Sequence, residues 1–308
     1  MKTDLSPIVM FAYNRPEHTR ITLEYLSKNE LARDSHLFVY CDGPKSNASE
    51  EQLRNIEEVQ NIASSRDWAG QVTVRSAKQN KGLAKNVMEG VSELVDEFGK
   101  LIVLEDDLKI GHGFLEYMNH GLNKYESVDS VKQVSGFLFP FVTSQQPSAF
   151  FMPVTNTIGW GTWKRAWSEI DFSAKGYQEM KTDKKLKRAF NLDGAYNYYK
   201  ILIGQLEKSK NDSWAILYWW SVFQARGLVL YPGYSLIQHN DFGSAGVHKS
   251  DFDFYDWPDW SNETETTKFP NEPSVDERRF QLHKEYLRKH TGMSFKKVLH
   301  KIGLLFKK

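Results

Sequence analysis

The segment "LIVLEDDL", residues 101–108, places three consecutive carboxylates directly after four apolar residues. The apolar run is typical of a buried strand, so Glu105, Asp106 and Asp107 fall at the carboxyl end of that strand. Acidic residues in this position often cap the following helix. Three adjacent carboxylates repel one another and exceed what a cap needs. We therefore expect them to bind a positive group, and carboxylate oxygens suit a hard divalent cation.

Apolar runs and helical patterns alternate through the first part of the chain. The runs at 7–13, 36–43, 71–77 and 100–104 predict four strands, and the segments between them predict amphipathic helices. Buried strands that alternate with helices predict an α/β fold, with a mostly parallel central sheet flanked by helices on both faces.

Polar residues stand at the carboxyl end of each predicted strand. They are Asn14-Arg15, Asp42-Gly43, Asn80-Lys81-Gly82 and the acidic triplet 105–107. In parallel sheets ligands bind outside the carboxyl ends of the strands, so these four groups are predicted to meet at one edge. The phosphate-binding patterns GxGxxG and GxxxxGK[ST] are both absent from the sequence, which argues against ordinary dinucleotide folds and P-loop enzymes.

Composition narrows the class of protein further. The 308 residues carry a formal net charge of +1, which gives no support for nucleic-acid binding. Cys41 is the only cysteine, so an intrachain disulfide is not possible. The sequence has no run long enough for a signal peptide or for the roughly 20 apolar residues of a membrane span. We expect a soluble, cytoplasmic protein.

Several segments together resemble one family of enzymes. The strand with "EDD", about a hundred residues after "PIVMFAYNRP" (7–16), is similar to the acidic signature of metal-dependent glycosyltransferases with the A-type nucleotide-sugar fold. "TIGWGTWKRAW" (157–167), "NDSWAILYWW" (211–220) and "LYPGYSLIQHNDFGSAGVH" (230–248) resemble later segments of N-acetylglucosaminyltransferase I and its bacterial relatives. Each match is short, and their common order makes the resemblance specific.

The resemblance implies a divalent metal site, for Mn²⁺ or Mg²⁺, at the acidic triplet. Asp107 would be the direct metal ligand, while Glu105 and Asp106 would contact the ribose or metal-bound water. His248 would complete the metal or diphosphate site from a glycine-containing loop that closes over the donor. The alternative for His248 is an ordinary surface or hydrogen-bonded histidine.

The resemblance also implies a nucleotide-sugar site at the other strand ends. Asp42 would read the nucleobase, and the remaining donor-binding residues would be Asn14 and Arg15, near the base or phosphates, with Asn80, Gly82 and Lys85.

A second carboxylate is needed as the general base that takes the acceptor proton. Family position favours Asp212, and the alternative is that Asp212 caps the helix that follows it. Asp241 and Asp171 are the next candidates. Trp160 and Gly161 are predicted to contact the acceptor, because aromatic rings stack on sugars and the glycines beside Trp160 allow close approach. The other tryptophans are expected to be core.

The predicted organisation is a glycosyltransferase domain over 1–250, with a donor half (1–110) and an acceptor half (111–250). Residues 251–290 are predicted to be a surface excursion or linker. Residues 291–308 are predicted to form a basic amphipathic helix, which would lie on an anionic membrane surface or dock on the domain.

These features predict a metal-dependent, inverting glycosyltransferase. It would move a sugar, for example N-acetylglucosamine, from a UDP-sugar to a hydroxyl of a glycan or lipid-linked acceptor. Cell-surface polysaccharide synthesis at the inner face of a bacterial membrane would suit such an enzyme. One alternative is a sugar-nucleotide pyrophosphorylase, whose expected Gly-rich Arg-Lys signature is not supplied by "NRPEHTR" (14–20). The other is an inactive nucleotide- or glycan-binding module.

Overall fold

A mixed β-sheet lies at the centre of the fold. The computed structural model describes residues 5–141, 148–208, 213–239 and 268–290. The strands are β1 (Ile8–Ala12), β2 (His36–Cys41), β3 (Gln71–Ser76), β4 (Lys100–Glu105), β5 (Leu108–Ile110), β6 (Val131–Ser135), β7 (Phe150–Met152), β8 (Trp160–Trp163), β9 (Leu228–Tyr231) and β10 (Ile237–His239). Eight of these described strands form the sheet, in the order β3-β2-β1-β4-β8-β6-β9-β7. All run parallel to β1 except β7 and β8. The prediction of a mostly parallel sheet is confirmed.

Helices cover both faces of this sheet. They are α1 (Pro16–Ser27), α2 (Glu50–Ser64), α3 (Leu83–Phe98), α4 (Phe114–Lys124), α5 (Lys164–Trp167), α6 (Lys184–Phe190), α7 (Tyr198–Leu206) and α8 (Trp214–Gln224), with 3-10 turns at Glu30–Asp34 and Tyr177–Lys181 and a further helix at 277–290. Successive side chains of a strand point to opposite faces. Met10 of β1 accordingly packs in the cluster that contains residues of α1, α2 and α4, whereas Phe11 packs in the cluster that contains residues of α3 and α8.

A small second sheet adjoins the acidic triplet. In it β5 pairs antiparallel with β10, and Leu108 is the partner of His239. Leu108 follows Asp107 directly, so the backbone at the end of β10 lies beside the acidic turn. The chain therefore returns to this edge of the sheet just before residues 240–250, which lie outside the described residues.

The segment 268–290 packs against the domain. Isolated β-bridges join the backbone of Lys268 to that of Ser148 and the backbone of Val275 to that of Phe151. Leu287 of the helix 277–290 is buried. Of the two predicted alternatives for residues 268–290, this packing fits a surface excursion better than a free linker, because Leu287 is covered by the core. Residues 251–267 and the predicted amphipathic helix 291–308 lie outside the described residues. In the part of the chain that the structure describes, none of the helices has the length and apolar character needed to cross a membrane.

Candidate functional site

The acidic turn lies at the carboxyl end of β4 and is fastened to α1. Asp106 and Asp107 are 3% and 8% exposed. The hydroxyl of Thr22 lies 2.9 Å from the carbonyl oxygens of both Asp106 and Leu108, and it accepts the N–H of Leu108 at 2.9 Å. Thr22 is fully buried, so a side chain of α1 fixes the backbone that presents the carboxylates.

Arg15 meets these carboxylates from the neighbouring strand. β1 and β4 are parallel, with Phe11 opposite Glu105, and this register brings the residues after each strand together. The guanidinium donates through Nε and Nη2 to the two oxygens of Asp106, and through Nη1 to Oδ2 of Asp107 at 2.9 Å. The result is a fork on one carboxylate and a single charge-assisted bond to the next.

Burial and crowding of negative charge shift the acid–base behaviour of this edge. Burial, together with the charges of Asp107 and Asp106, raises the pKa of Glu105 to about 8, and Arg15 opposes this shift. Burial also raises the pKa of Asp106, again opposed by Arg15. The pKa of the Cys41 thiol rises to about 12 because the thiol is buried and lies near Asp106. Burial thus disfavours the charged forms of Glu105, Asp106 and Cys41, and the positive charge of Arg15 opposes this effect at the two carboxyl groups.

The carboxylate of Asp42 organises the turn before α3. Its Oδ1 accepts the N–H groups of Gly43 and Lys81, both at 2.8 Å. Its Oδ2 accepts Nδ2 of Asn80 at 2.9 Å and the N–H of Gly82 at 3.0 Å. Gly82 has φ +79°, which favours glycine, and it precedes the first turn of α3 without a side-chain cap.

These contacts change the roles expected from the sequence for the donor site. Asp42 gives its oxygens to protein donors and is buried, so in this structure it shapes the turn and does not present a free carboxylate to a base. Asn80 and Gly82 lie beside it as predicted. Lys85 is exposed and pairs with Glu89 at 3.7 Å, so its ammonium faces away from the core. Asn14 is partly exposed at the end of β1.

Trp160 and Gly161 are core residues, which corrects their predicted contact with the acceptor. Trp160 is 1% exposed, and its ring centroid lies 5.4 Å from those of Trp214 and Tyr218 and 5.8 Å from that of Trp167. A Cβ on Gly161 would lie 3.0 Å from Leu101 O, so this glycine allows close packing inside the sheet. The Trp160 side chain is therefore enclosed by protein, and its contact with Trp214 packs α8 on the sheet.

Asp212 and His248, like Asp241, lie outside the described residues. The first described residues after Asp212 are Ser213, whose N–H donates to Gln205 Oε1 at 2.7 Å, and Trp214, which stacks on Trp160. Trp160 is opposite Val103 in β4.

Asp171 has a structural role instead. It accepts the N–H and hydroxyl of Ser173 and the N–H of Lys175, and it is partly exposed at the surface. These bonds hold a turn, so the structure gives no support to Asp171 as a reserve base.

The acidic turn does not form a ready metal site. Carboxylate oxygens are suitable ligands for Mn²⁺ and Mg²⁺. However, Arg15 binds both Asp106 and Asp107, and within the described ranges no group of three or more His, Cys, Asp and Glu side chains is placed to hold a metal ion. That Asp107 is a direct metal ligand stays a prediction, and in this arrangement its Oδ2 accepts a bond from the Arg15 guanidinium at 2.9 Å.

Sequence reasoning missed the supports of this site. Thr22 fastens the acidic turn, and Thr19 bonds the carbonyl oxygen of Arg15 through its N–H at 3.0 Å and its hydroxyl at 2.9 Å. The only available signal was two threonines on the otherwise apolar face of α1, at positions 19 and 22.

The solved structures that are similar to this fold include glycosyltransferases. No family model and no curated protein matches the sequence. A mannosyltransferase from Pyrobaculum calidifontis, PcManGT, solved in complex with GDP-Man and Mn²⁺, matches at 10% identity and TM-score 0.36, over 73% of this chain and 75% of that one. Mouse xyloside xylosyltransferase 1, in the apo form, matches at 9% identity and TM-score 0.38, over 73% and 83%. Galactosyltransferase LgtC, in complex with donor and acceptor sugar analogs, matches at 9% identity and TM-score 0.34, over 73% and 72%. Likeness at this level assigns no role to any residue.

Proposed function

We propose that this protein is a glycosyltransferase that transfers a sugar from a nucleoside diphosphate sugar to an acceptor hydroxyl. One observation carries the proposal: Arg15, the acidic turn and the turn held by Asp42 lie at the carboxyl ends of adjacent parallel strands. That edge is where α/β sheets bind their ligands. The family resemblance of the sequence segments supplies the reaction class.

The chemistry needs a cation for the leaving group and a base for the acceptor. The bond from the sugar to the diphosphate breaks and a bond to the acceptor oxygen forms, so negative charge grows on the diphosphate. A fixed guanidinium is suited to stabilise that charge. Asp212 is proposed to take the acceptor proton, which would make the reaction inverting. The proposed donor carries UDP as its nucleotide and N-acetylglucosamine as its sugar. The proposed acceptor is a glycan or a lipid-linked molecule.

The test combines binding of the donor with its hydrolysis to free nucleoside diphosphate. Thermal unfolding is measured with UDP, GDP, UDP-N-acetylglucosamine, UDP-glucose and GDP-mannose, each with EDTA and with Mn²⁺. Binding to the folded state raises the melting temperature by an amount that grows with RT ln(1 + [L]/Kd). Free nucleoside diphosphate is then assayed with the donor that binds. We expect at least one donor to bind and to be slowly hydrolysed.

Other outcomes identify the alternatives. Pyrophosphate release from a nucleoside triphosphate and a sugar 1-phosphate would indicate a pyrophosphorylase. Binding without hydrolysis or transfer would indicate a binding module. No shift with any nucleotide or nucleotide sugar would contradict the proposal.

The proposed membrane contact has its own experiment. Removing residues 292–308 is expected to release the protein from anionic vesicles while leaving donor hydrolysis unchanged. Equal vesicle binding by the shortened and full-length proteins would favour a docked helix.

A further inference from the structure

Both Arg15 and the acidic turn that it binds are held by side chains of α1. The carbonyl oxygen of Arg15 is held by Thr19, and Pro16 follows Arg15 as the first residue of α1. The carboxylates that it binds are held by Thr22 of the same helix. Since one helix supports both the guanidinium and the acidic turn, the ion pair does not depend on two independently moving surface side chains. The cost in side-chain entropy that weakens most exposed ion pairs is correspondingly reduced.

A divalent ion at this turn would have to displace the guanidinium. Mg²⁺ binds oxygen ligands at about 2.0–2.1 Å, and both oxygens of Asp106 and Oδ2 of Asp107 already accept hydrogen bonds from Arg15. Burial lowers the pKa of Arg15, but Asp106 and Asp107 outweigh it and raise the pKa above its ordinary value, so the side chain stays charged. The guanidinium of Arg15 thus supplies a fixed positive charge to two buried carboxylates, and no metal ion is required to balance them.

Arg15 also keeps the means to bind a ligand. A guanidinium has five N–H donors. Three point to Asp106 and Asp107, and 24% of the side chain is exposed at the sheet edge. Two donors are therefore left for an anion, and the planar fork of arginine matches phosphate oxygens.

We infer that Arg15 is the resident cation of this site and that it binds the diphosphate of the donor without a divalent metal. The inference rests on the proposed function and deepens it. Asp106 and Asp107 then serve to aim the guanidinium, and they are not metal ligands.

Calorimetric titration tests the inference on the full-length protein. UDP, GDP, ADP and dTDP are titrated into the wild type in EDTA and then in Mn²⁺. The variants are Arg15→Met, which removes the charge, and Arg15→Lys, which keeps the charge but not the fork. Arg20→Met is the matched control, because Arg20 lies on the exposed side of α1 and pairs with Glu17 and Glu58. Mn²⁺ binding to the wild type and to Arg15→Met is measured separately by electron paramagnetic resonance.

The expected result is metal-free binding that needs the guanidinium. The wild type should bind a nucleoside diphosphate in EDTA with an affinity within about threefold of that in Mn²⁺, and Arg20→Met should match it. Arg15→Met should lose at least about tenfold in affinity, and Arg15→Lys should lie between the two. Arg15→Met should bind Mn²⁺ more tightly than the wild type, because its carboxylates have lost their cation.

The contrary results separate the inference from the proposed function. Nucleotide binding by the wild type that requires Mn²⁺ would overturn the inference and leave the glycosyltransferase proposal standing. This comparison needs no variant, so it stands even if Arg15→Met fails to fold. No binding of any of the four nucleotides in either condition would overturn both.

Discussion

The carboxylate of Asp42 accepts the N–H of Gly82 at 3.0 Å, which ties the end of β2 to the first turn of α3. The same carboxylate accepts Nδ2 of Asn80, so Oδ2 faces two donors. In Asp42→Asn an amide group would oppose at least one of these donors. We expect the free energy of unfolding to fall by about 2–3 kcal/mol, as for a lost bond to a charged group, measured by urea denaturation.

Asp67→Asn is the control for this change, because Asp67 is exposed on the surface. Exposed substitutions usually stay within about 0.5 kcal/mol. If Asp42→Asn were as stable as Asp67→Asn, the organising role given to Asp42 would be wrong.

Thr22→Val should damage the acidic turn while keeping the volume of the side chain. The variant loses the hydroxyl that bonds the backbone of Asp106 and Leu108. We expect a loss of about 1–3 kcal/mol in unfolding free energy, measured by thermal unfolding. We also expect weaker nucleotide binding, measured by calorimetry. Thr22→Ser keeps the hydroxyl, so nucleotide affinity should be retained. Nucleotide affinity unchanged in Thr22→Val would show that the hydroxyl is not needed to hold the acidic turn.

Trp160→Leu distinguishes a core tryptophan from a sugar platform. The stack on Trp214 and Tyr218 predicts a cavity and a loss of about 3 kcal/mol in unfolding free energy. Phe98→Leu, at a partly exposed ring, should cost clearly less. Unchanged stability in Trp160→Leu together with weaker acceptor binding would restore the platform interpretation.

The sequence predicted well those features that depend on local pattern. The strand ends, and with them the meeting of Arg15, Asp42 and the acidic triplet at one edge, follow from apolar runs and the geometry of parallel sheets. The helical period in α3 places Leu83, Val87 and Val91 on one face; Val87 and Val91 are buried as this period predicts, whereas Leu83 at the start of the helix is 54% exposed. Periodicity gives the direction of a side chain, and it does not say how far the covering layer extends.

The features that were missed depend on tertiary contacts. Nothing in the local pattern shows that Thr22 of α1 reaches the turn after β4, more than eighty residues away in the chain. The burial of Trp160 likewise depends on α8 crossing above it. The pairing of Arg15 with Asp106 required the register between β1 and β4, which apolar runs do not fix.

Asp212→Asn tests the proposed base. A general base acts only as the acceptor oxygen attacks, so its loss should lower the turnover number by at least about a hundredfold and leave donor affinity unchanged. Steady-state transfer and calorimetric donor binding measure the two effects. Asp171→Asn is the matched control, since Asp171 holds a surface turn. Transfer by Asp212→Asn at nearly the wild-type rate would leave Asp212 as a helix cap.

His283 should make the stability of the protein depend on pH. It is 3% exposed in the helix 277–290, with ring centroids 5.4 Å from Phe141 and 5.7 Å from Phe139. Burial lowers its pKa from 6.5 to about 4. Above pH 6.5 the imidazole is neutral in both the folded and the unfolded chain and has no effect. Between about pH 6.5 and pH 4 the unfolded chain binds a proton that the folded protein does not, so stability falls as the pH falls.

Comparing the wild type with His283→Phe isolates this contribution, because phenylalanine suits the aromatic surroundings and does not titrate. The difference in unfolding free energy between the two proteins, measured by urea denaturation at pH 7.5 and at pH 4.5, should change by about 2–3 kcal/mol in favour of the variant at the lower pH. The other histidines and the carboxylates titrate in both proteins, so their effects cancel in this difference. A difference that stayed constant across that pH range would mean that His283 is protonated as readily in the folded protein as in the unfolded chain.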